Sequence, residues 1–199
     1  MTILGLETPE VVFEMYRAHP AGKITRPLTL WGAAPSVHDP SQAREGFHTA
    51  FMWEKVPFAL EGDPAHWDTW KAKHGEEVLA RWAEYAPNVR GDTIVSCYCL
   101  SPLDTVRHFP NMAGGDLTVG WLGEEQMGAN RPTAALSGYV TPLAGLYMAG
   151  SCMHPGGNIT GYPGYNAAGV IARALGLEPW WTPPDWEPAA AEPPPAPVP

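Results

Sequence analysis

The chain has 199 residues, of which 45% are hydrophobic and 17% are charged, and its formal net charge at neutral pH is -9. This composition is typical of a globular protein with one good core and excludes a disordered chain. The negative charge argues against a surface that binds nucleic acid or anionic membranes, and no apolar run is long enough to span a membrane.

The three cysteines, Cys97, Cys99 and Cys152, are an odd number without a spacing typical of a disulfide framework or of a zinc site. We therefore expect no metal site and a reducing, cytoplasmic location. The N-terminus contains three glutamates within its first 14 residues, which is unlike a secretory signal.

The first predicted element is a short helix. Thr8 is placed to cap it, Pro9 suits its first position, and Pro20 ends it. Residues 28–37 then read as a strand, and the alternation over residues 47–58 predicts a second strand with two unlike faces. We expect these two strands to pair in antiparallel fashion.

A longer helix follows, which Asp63 can cap with Pro64 at its first position and which Pro87 ends. Its charged side chains are predicted to be solvated: Lys71, Lys73, Glu76, Glu77 and Arg81. Residues 93–100 are predicted to form the next strand. A short helix is expected over residues 101–109.

Residues 111–131 are rich in glycine and lack periodicity, which is common in a loop that lines a pocket. Five of its side chains are candidates for substrate contact, with an ordinary place on the loop surface as the alternative for each: Trp121, Glu124, Glu125, Gln126 and Arg131.

The most informative stretch is residues 146–177. Residues 146–149 are an apolar run that predicts a buried strand, which must turn tightly at residues 150–151. A glycine-rich loop leads to a small-residue helix over residues 166–175, with Gly176 just past its end. Such a loop leaves backbone N–H groups and the positive end of a helix dipole open to a flat or anionic ligand. An ordinary strand-to-helix connection is the alternative, and the spacing fits neither GxGxxG nor GxxxxGK[ST].

The segments AGS (149–151), HPGG (154–157) and GYNAA (164–168) resemble the C-terminal flavin-binding motif of the phytoene desaturase and carotenoid isomerase-like branch of the FAD-dependent amine oxidase superfamily. The resemblance extends over residues 25–177 and is closest to the pyridine nucleotide-disulfide oxidoreductase domain-containing group. It implies an α+β fold, the C-terminal half of a two-domain FAD-dependent oxidoreductase. This half comprises an antiparallel substrate-domain sheet with helices, plus the last strand and helix of the FAD-binding domain.

The resemblance also implies a division into four regions. Residues 1–24 are an N-terminal helix and lead-in, residues 25–140 part of a substrate-binding domain, and residues 141–177 the C-terminal FAD-binding motif. Residues 178–199 are a tail rich in proline and alanine, whose composition predicts disorder or an extended chain laid on another surface.

In the resembled family, residues 150–151 would lie near the ribityl and pyrophosphate groups of FAD, and residues 158–163 would pass along the isoalloxazine edge. The helix N-terminus would stabilise negative charge on the reduced flavin by roughly 0.3 to 2 kcal/mol. The residues that the resemblance implies for FAD binding are Gly150, Ser151, Gly157, Asn158, Ile159, Thr160, Gly161, Tyr162, Pro163 and Asn166.

No catalytic side chain is identified from the sequence. His154 is the candidate for a general base beside the flavin, because an ordinary imidazole titrates near pH 6.5. A structural hydrogen bond that sets the turn at residues 155–157 is the alternative.

The resemblance implies the small subunit of a heteromeric FAD-dependent oxidoreductase, of the dehydrogenase or desaturase type, acting on a hydrophobic organic substrate. The sequence has no GxGxxG segment to hold the ADP half of FAD. A large partner subunit with the dinucleotide-binding fold is therefore expected, in a hetero-oligomer. The alternatives are a noncatalytic binding or regulatory subunit that retains the fold, and a small self-sufficient domain that binds another ligand in its glycine loop.

Overall fold

The computed structural model describes residues 1–157, 159–179 and 181–182. These residues belong to two compact units, which divide between Leu117 and Thr118. The described helices and strands are β1 (Thr2–Leu4), α1 (Pro9–Ala18), β2 (Leu30–Ala33), β3 (Phe51–Glu54), α2 (His66–Tyr85), α3 (Pro102–His108) and α4 (Tyr162–Ala174). Helices beside an antiparallel sheet agree with the predicted α+β class. The functional boundaries expected at residues 24, 140 and 177 stay a prediction.

The first unit contains a three-stranded antiparallel sheet in the order β1-β2-β3. The pairing of β2 with β3 confirms the predicted antiparallel pair, although both strands are shorter than expected. Strand β1 was not predicted, because three residues are too few to show a period of two. None of the described helices is long and apolar enough to cross a membrane.

The sheet has one covered face and one exposed apolar face, because side chains alternate along each strand. On the covered face Leu4, Leu28 and Leu30 form a buried cluster, against which Val78 and Trp82 of α2 pack. The residues on the opposite face are Ile3, Trp31, Phe51 and Trp53, and we call this set the outer apolar face.

Polar contacts fix α2 to the sheet and to the loop before the helix. The buried indole of Trp67 donates to the carbonyl oxygens of Pro57 and Phe58, both at 3.1 Å. His74 Nε2 lies 2.6 Å from Glu54 Oε2, with both side chains buried. The helix begins at residue 66, two residues later than predicted, because residues 63–66 form a turn first.

Two predicted strands are absent. Residues 93–100 have no regular structure, and Val95 and Tyr98 are 74% and 82% exposed. Residues 146–149 make only an isolated bridge between Val140 and Tyr147, and Leu146 is half exposed. An alternating or apolar pattern becomes a strand only where a second strand pairs with its backbone. The described residues offer no such strand to residues 93–100, and residues 146–148 make only a short pairing with residues 139–141.

The α3 helix begins with a capping box, as its predicted start requires. Ser101 Oγ accepts from the Asp104 N–H at 3.1 Å, and the Asp104 carboxylate accepts from the Ser101 N–H at 2.9 Å. Lys71 Nζ donates to both carboxylate oxygens of Asp104, at 2.8 and 2.9 Å. The prediction of a solvated face therefore holds for the exposed Lys73 and Glu76 but is wrong for Arg81, whose side chain is 14% exposed, and only partly right for the paired Lys71, at 32%.

We predict that Asp104→Asn lowers the free energy of unfolding by roughly 1–3 kcal/mol at neutral pH. Burial favours the protonated form of Asp104, but the hydrogen bonds from Lys71 and Ser101 outweigh it and lower the pKa to about 2. A lowered folded-state pKa gives stability that is present above the unfolded-state pKa and is lost as the pH falls through the folded value. Urea unfolding should show the gap between wild type and Asp104→Asn closing between about pH 5 and pH 2.

The control is Asp92→Asn, because Asp92 and its partner Arg90 are both largely exposed. We expect this variant to stay within about 0.5 kcal/mol of wild type. An Asp104→Asn gap that did not change with pH would contradict the role given to the carboxylate.

Candidate functional site

Helix α4 begins at Tyr162, four residues before the predicted start. Gly161 precedes it in the left-handed conformation, with a φ of +69°, and Pro163 occupies its first turn, where proline is tolerated. Asn166 therefore lies in the second turn and not the first. Gly176 follows the helix as predicted, in the left-handed conformation with a φ of +64°.

The N-terminus of α4 carries no opposing charge in its own first turn. Its N-cap residue, Gly161, has no side chain to cap the helix, and the first turn contains no acidic residue. Thr160 Oγ1 accepts from the Tyr162 N–H at a long 3.4 Å. A helix of this length has a partial positive charge at its start, together with N–H groups that the helix itself does not use. An anionic or electron-rich group is therefore favoured next to this turn.

The glycines of the loop fall into two groups. A Cβ added to Gly157 would lie 3.0 Å from the backbone of Thr118, and one added to Gly156 would lie 2.9 Å from Leu122 Cδ2. Gly157 is therefore needed for packing within the chain, whereas Gly156 is required by its backbone conformation, with a φ of +106°. A Cβ added to Gly150, Gly161 or Gly164 would meet no atom of the described residues within 4 Å. These three glycines face open space, which is where a ligand could approach the backbone.

Tyr139 joins the loop to α4. Its hydroxyl donates to the carbonyl oxygen of His154 at 2.6 Å and accepts from Asn166 Nδ2 at 2.8 Å. Its ring is buried with Met153 and Ala167 in the core of the second unit. The amide of Asn166, which was predicted to contact FAD, is thus used in part to orient Tyr139.

His154 has a structural contact that limits its acid-base chemistry. Its Nδ1 accepts from the backbone N–H of Gly128 at 3.1 Å. The neutral ring must then carry its proton on Nε2, so that neither nitrogen has a free lone pair. This geometry disfavours a general base, although the hydrogen bond joins His154 to Gly128 and not to the turn at residues 155–157 as the alternative expected.

Arg131 was a candidate for substrate contact and is instead buried, with 1% of its surface exposed. Its guanidinium donates to the carbonyl oxygens of Trp121 at 2.8 Å, Val119 at 3.2 Å and Ser151 at 2.9 Å. It therefore connects residues 119–121 to the start of the glycine-rich loop. No pattern in the sequence indicates this role, because the partners are backbone oxygens remote along the chain.

The remaining candidates differ in exposure, and three of them line one cleft. Ile159 and Thr160 are exposed, whereas Pro163 is buried. An open cleft of about 310 Å³ is lined by Thr160, Gly161, Tyr162 and Tyr165. Asn158, which was predicted to bind FAD, lies outside the described residues, as do Trp180 and residues 183–199 of the predicted tail.

The other candidates from the 111–131 loop differ in exposure. Trp121, Glu124 and Glu125 are exposed, whereas Gln126 is half-buried and donates to the Pro132 carbonyl oxygen at 3.3 Å. All three cysteines are free thiols. Burial raises the pKa of the Cys99 thiol, and Cys97 and Asp104 add to this effect. Within the described part of the chain no three His, Cys, Asp or Glu residues converge on a point where a metal could bind.

We predict that Tyr139→Phe destabilises the protein by roughly 1–3 kcal/mol, because the His154 carbonyl and the Asn166 amide each lose a buried hydrogen-bond partner. Chemical unfolding should measure this change. Tyr98→Phe is the matched control, since the Tyr98 side chain is 82% exposed, and it should differ little from wild type. Equal stabilities of the two variants would show that the hydroxyl of Tyr139 does not hold the loop to α4.

Three relatives place the chain among known proteins. It is 33% identical to a limonene dehydrogenase subunit of Castellaniella defragrans, over 96% of this chain and 35% of the relative. It is 32% identical to pyridine nucleotide-disulfide oxidoreductase domain-containing protein 2 of Mus musculus, over 71% of this chain and 24% of the relative. It is 24% identical to a neurosporene-forming phytoene desaturase of Cereibacter sphaeroides, over 76% of this chain and 28% of the relative.

The chain spans about a third or less of the length of these relatives. No protein-family profile and no solved structure matches it. The relatives agree with the resemblance found in residues 149–168, and their names are those of a dehydrogenase, an oxidoreductase and a desaturase. The chain therefore belongs to the oxidoreductase family that includes the limonene dehydrogenase subunit, pyridine nucleotide-disulfide oxidoreductase domain-containing protein 2 and phytoene desaturase.

Proposed function

We propose that this chain supplies the flavin-ring side of a FAD-dependent oxidoreductase of the dehydrogenase or desaturase type. A partner subunit with a GxGxxG dinucleotide-binding fold supplies the site for the ADP half of FAD. The observation that carries the proposal is the start of α4, whose N-cap residue Gly161 has no side chain and whose first turn contains Gly164, both of which face open space among the described residues.

The residues of the site fit such a cofactor in three respects. The open glycines allow a flat ring to approach the backbone, the helix N-terminus favours negative charge, and the buried guanidinium of Arg131 lies behind the loop. When bound, the flavin supplies the capacity to accept two electrons and a proton from an organic substrate. This chain supplies the ring-side N–H groups and dipole, and Tyr139 holds the loop that presents them.

The names of two relatives support the substrate class. One is a limonene dehydrogenase subunit and another a phytoene desaturase, and both names specify oxidation of an apolar organic molecule. We therefore propose a hydrophobic organic substrate for this chain. Neither nitrogen of His154 has a free lone pair, so we assign His154 no proton abstraction.

The outer apolar face supports the requirement for further polypeptide. Trp31 and Trp53 contact each other edge to face with ring centroids 4.6 Å apart, and Trp53 is 45% exposed. Ile3 and Trp53 flank Trp31 in register across the three strands. A sheet with apolar side chains on both faces needs a layer on each, and the described part of the first unit covers only one.

We predict that Gly164→Ala stabilises the chain by roughly 0.5–1 kcal/mol, because Gly164 is helical and faces open space. The same methyl group would occupy the space of the flavin and weaken its binding by about tenfold. Gly169→Ala is the matched control: its Cβ would make an ordinary 3.6 Å contact with Arg173 Nη1 in the same helix. Flavin absorbance of the purified enzyme and thermal unfolding measure the two effects.

Equal flavin content in the two alanine variants would place the cofactor away from α4 and contradict the proposed site. Gly157 is unsuitable for this test, because a side chain there would collide with the backbone of Thr118 whether or not a ligand binds. A wild-type protein that stays colourless with every co-expressed gene neighbour would favour a noncatalytic binding subunit.

We predict that Trp53→Glu abolishes assembly with the partner subunit, because it places a charge in the centre of the outer apolar face. Co-expression with the gene neighbours, followed by size-exclusion chromatography with detection at flavin wavelengths, measures the assembled fraction. Trp70→Glu is the control, since Trp70 is similarly exposed, at 39%, but lies on α2. A yellow complex of unchanged size with Trp53→Glu would remove this face from the interface.

A further inference from the structure

We infer that Arg131 is a positioning residue whose buried positive charge gives the glycine-rich loop its affinity for the negative charge of the bound flavin. This inference rests on the proposed function. Arg131 touches neither cofactor nor substrate and acts through the backbone that it holds.

The charge of Arg131 has no counterion among the described residues. Arginine keeps its proton in any protein environment, and this one is 1% exposed. Three carbonyl oxygens lie within 3.2 Å of its terminal nitrogens, but every ion pair formed by the described residues involves another cation. Neutral oxygens satisfy the N–H donors without cancelling the net charge. A buried charge without a partner costs several kcal/mol, so its presence requires a compensating gain.

The guanidinium lies directly behind the loop backbone. A Cβ added to Gly156 would lie 3.7 Å from Arg131 Nε, and one added to Gly120 would lie 3.4 Å from Nη2. Nε itself is buried and has no hydrogen-bond partner among the described residues. The carbonyl oxygen of Ser151 accepts from Nη2 at 2.9 Å. The positive potential therefore acts on residues 119–121 and on residues 151–156, and the second of these segments leads along the chain toward the open start of α4.

Two groups of FAD offer the negative charge that this potential would stabilise. The pyrophosphate carries it permanently, and the isoalloxazine ring acquires it on reduction. The chemistry recognised is the same in both cases, an anionic group next to loop backbone in a poorly solvated site. The arms of the experiment distinguish the two groups.

The test neutralises the charge of Arg131 without replacing the residue. The guanidinium holds the loop together, so its removal would unfold the loop. Val119 provides the position: it has a φ of +53°, which is unfavourable for a β-branched residue, and its carbonyl oxygen accepts from Arg131. Asn and Asp both tolerate this conformation better than Val. Val119→Asp adds a carboxylate to a residue whose own backbone binds the guanidinium, and Val119→Asn is the neutral control of the same shape.

We predict that, in the assembled enzyme, Val119→Asp binds FAD about tenfold more weakly than Val119→Asn, or lowers the reduction midpoint potential of the bound flavin relative to it. Titration with FAD and with riboflavin, which has no phosphate, separates the two groups. Weaker FAD binding with unchanged riboflavin binding identifies the pyrophosphate. A lower potential with unchanged affinity for oxidised FAD identifies the reduced ring.

The variants Arg131→Lys and Arg131→Met provide a second test of the inference. The lysine variant keeps the charge with fewer donors, so it should melt at a lower temperature than wild type yet keep the flavin potential and affinity better than the methionine variant. If neither Arg131 variant folds, the comparison of Val119→Asp with Val119→Asn still tests the inference. Equal affinities and potentials in Val119→Asp and Val119→Asn overturn the inference while leaving the flavin site intact. A wild-type enzyme that binds no flavin overturns the proposed function and this inference together.

Discussion

The described backbone of residues 118–157 must find hydrogen-bond partners with little regular structure to supply them, and the second unit is built around that requirement. Buried amide and carbonyl groups left unpaired would cost about 1–3 kcal/mol each. Arg131 serves three carbonyl oxygens, Tyr139 serves that of His154, and His154 in turn accepts from Gly128. Side chains here form hydrogen bonds with backbone groups that, in a sheet, would pair with the neighbouring strand. The result is a loop without regular secondary structure whose conformation is nevertheless fixed, as a ligand-binding site requires.

The same arrangement separates the groups that hold the loop from the groups that face outward. Gly157 is required by close contact with the backbone of Thr118, and Gly156 by its φ of +106°. Gly150 and Gly161 have no described neighbour within 4 Å of a built Cβ, but their φ values of +89° and +69° favour glycine whatever the space. Gly164 has neither a close described neighbour nor a positive φ, and space reserved for something outside the described residues is the simplest physical reason for it. The start of α4, with a glycine at its N-cap and no acidic residue in its first turn, indicates the charge of that occupant.

The first unit reflects a different constraint, the need of a small sheet for a layer on each face. Three short strands are marginal alone, and α2 supplies one layer through Val78 and Trp82. The opposite layer is the row of Ile3, Trp31 and Trp53 across the three strands. Residues 93–100, with an alternating pattern and no paired strand, are a further segment whose backbone has no sheet to join within the described residues. Both features agree with a chain that spans about a third or less of its relatives' length.

The sequence by itself determined the elements whose signals are local: the proline-started α1, the short helix α3, the glycine after α4, and the family, through the segments at residues 149–168. Only the tertiary structure decided which patterns became strands, because pairing depends on a second segment that the pattern does not contain. It also decided that Arg131 is buried, that Nδ1 of His154 is occupied, and which glycines face outward. Those properties arise from contacts between residues far apart in the chain, and such contacts leave no periodicity in the sequence.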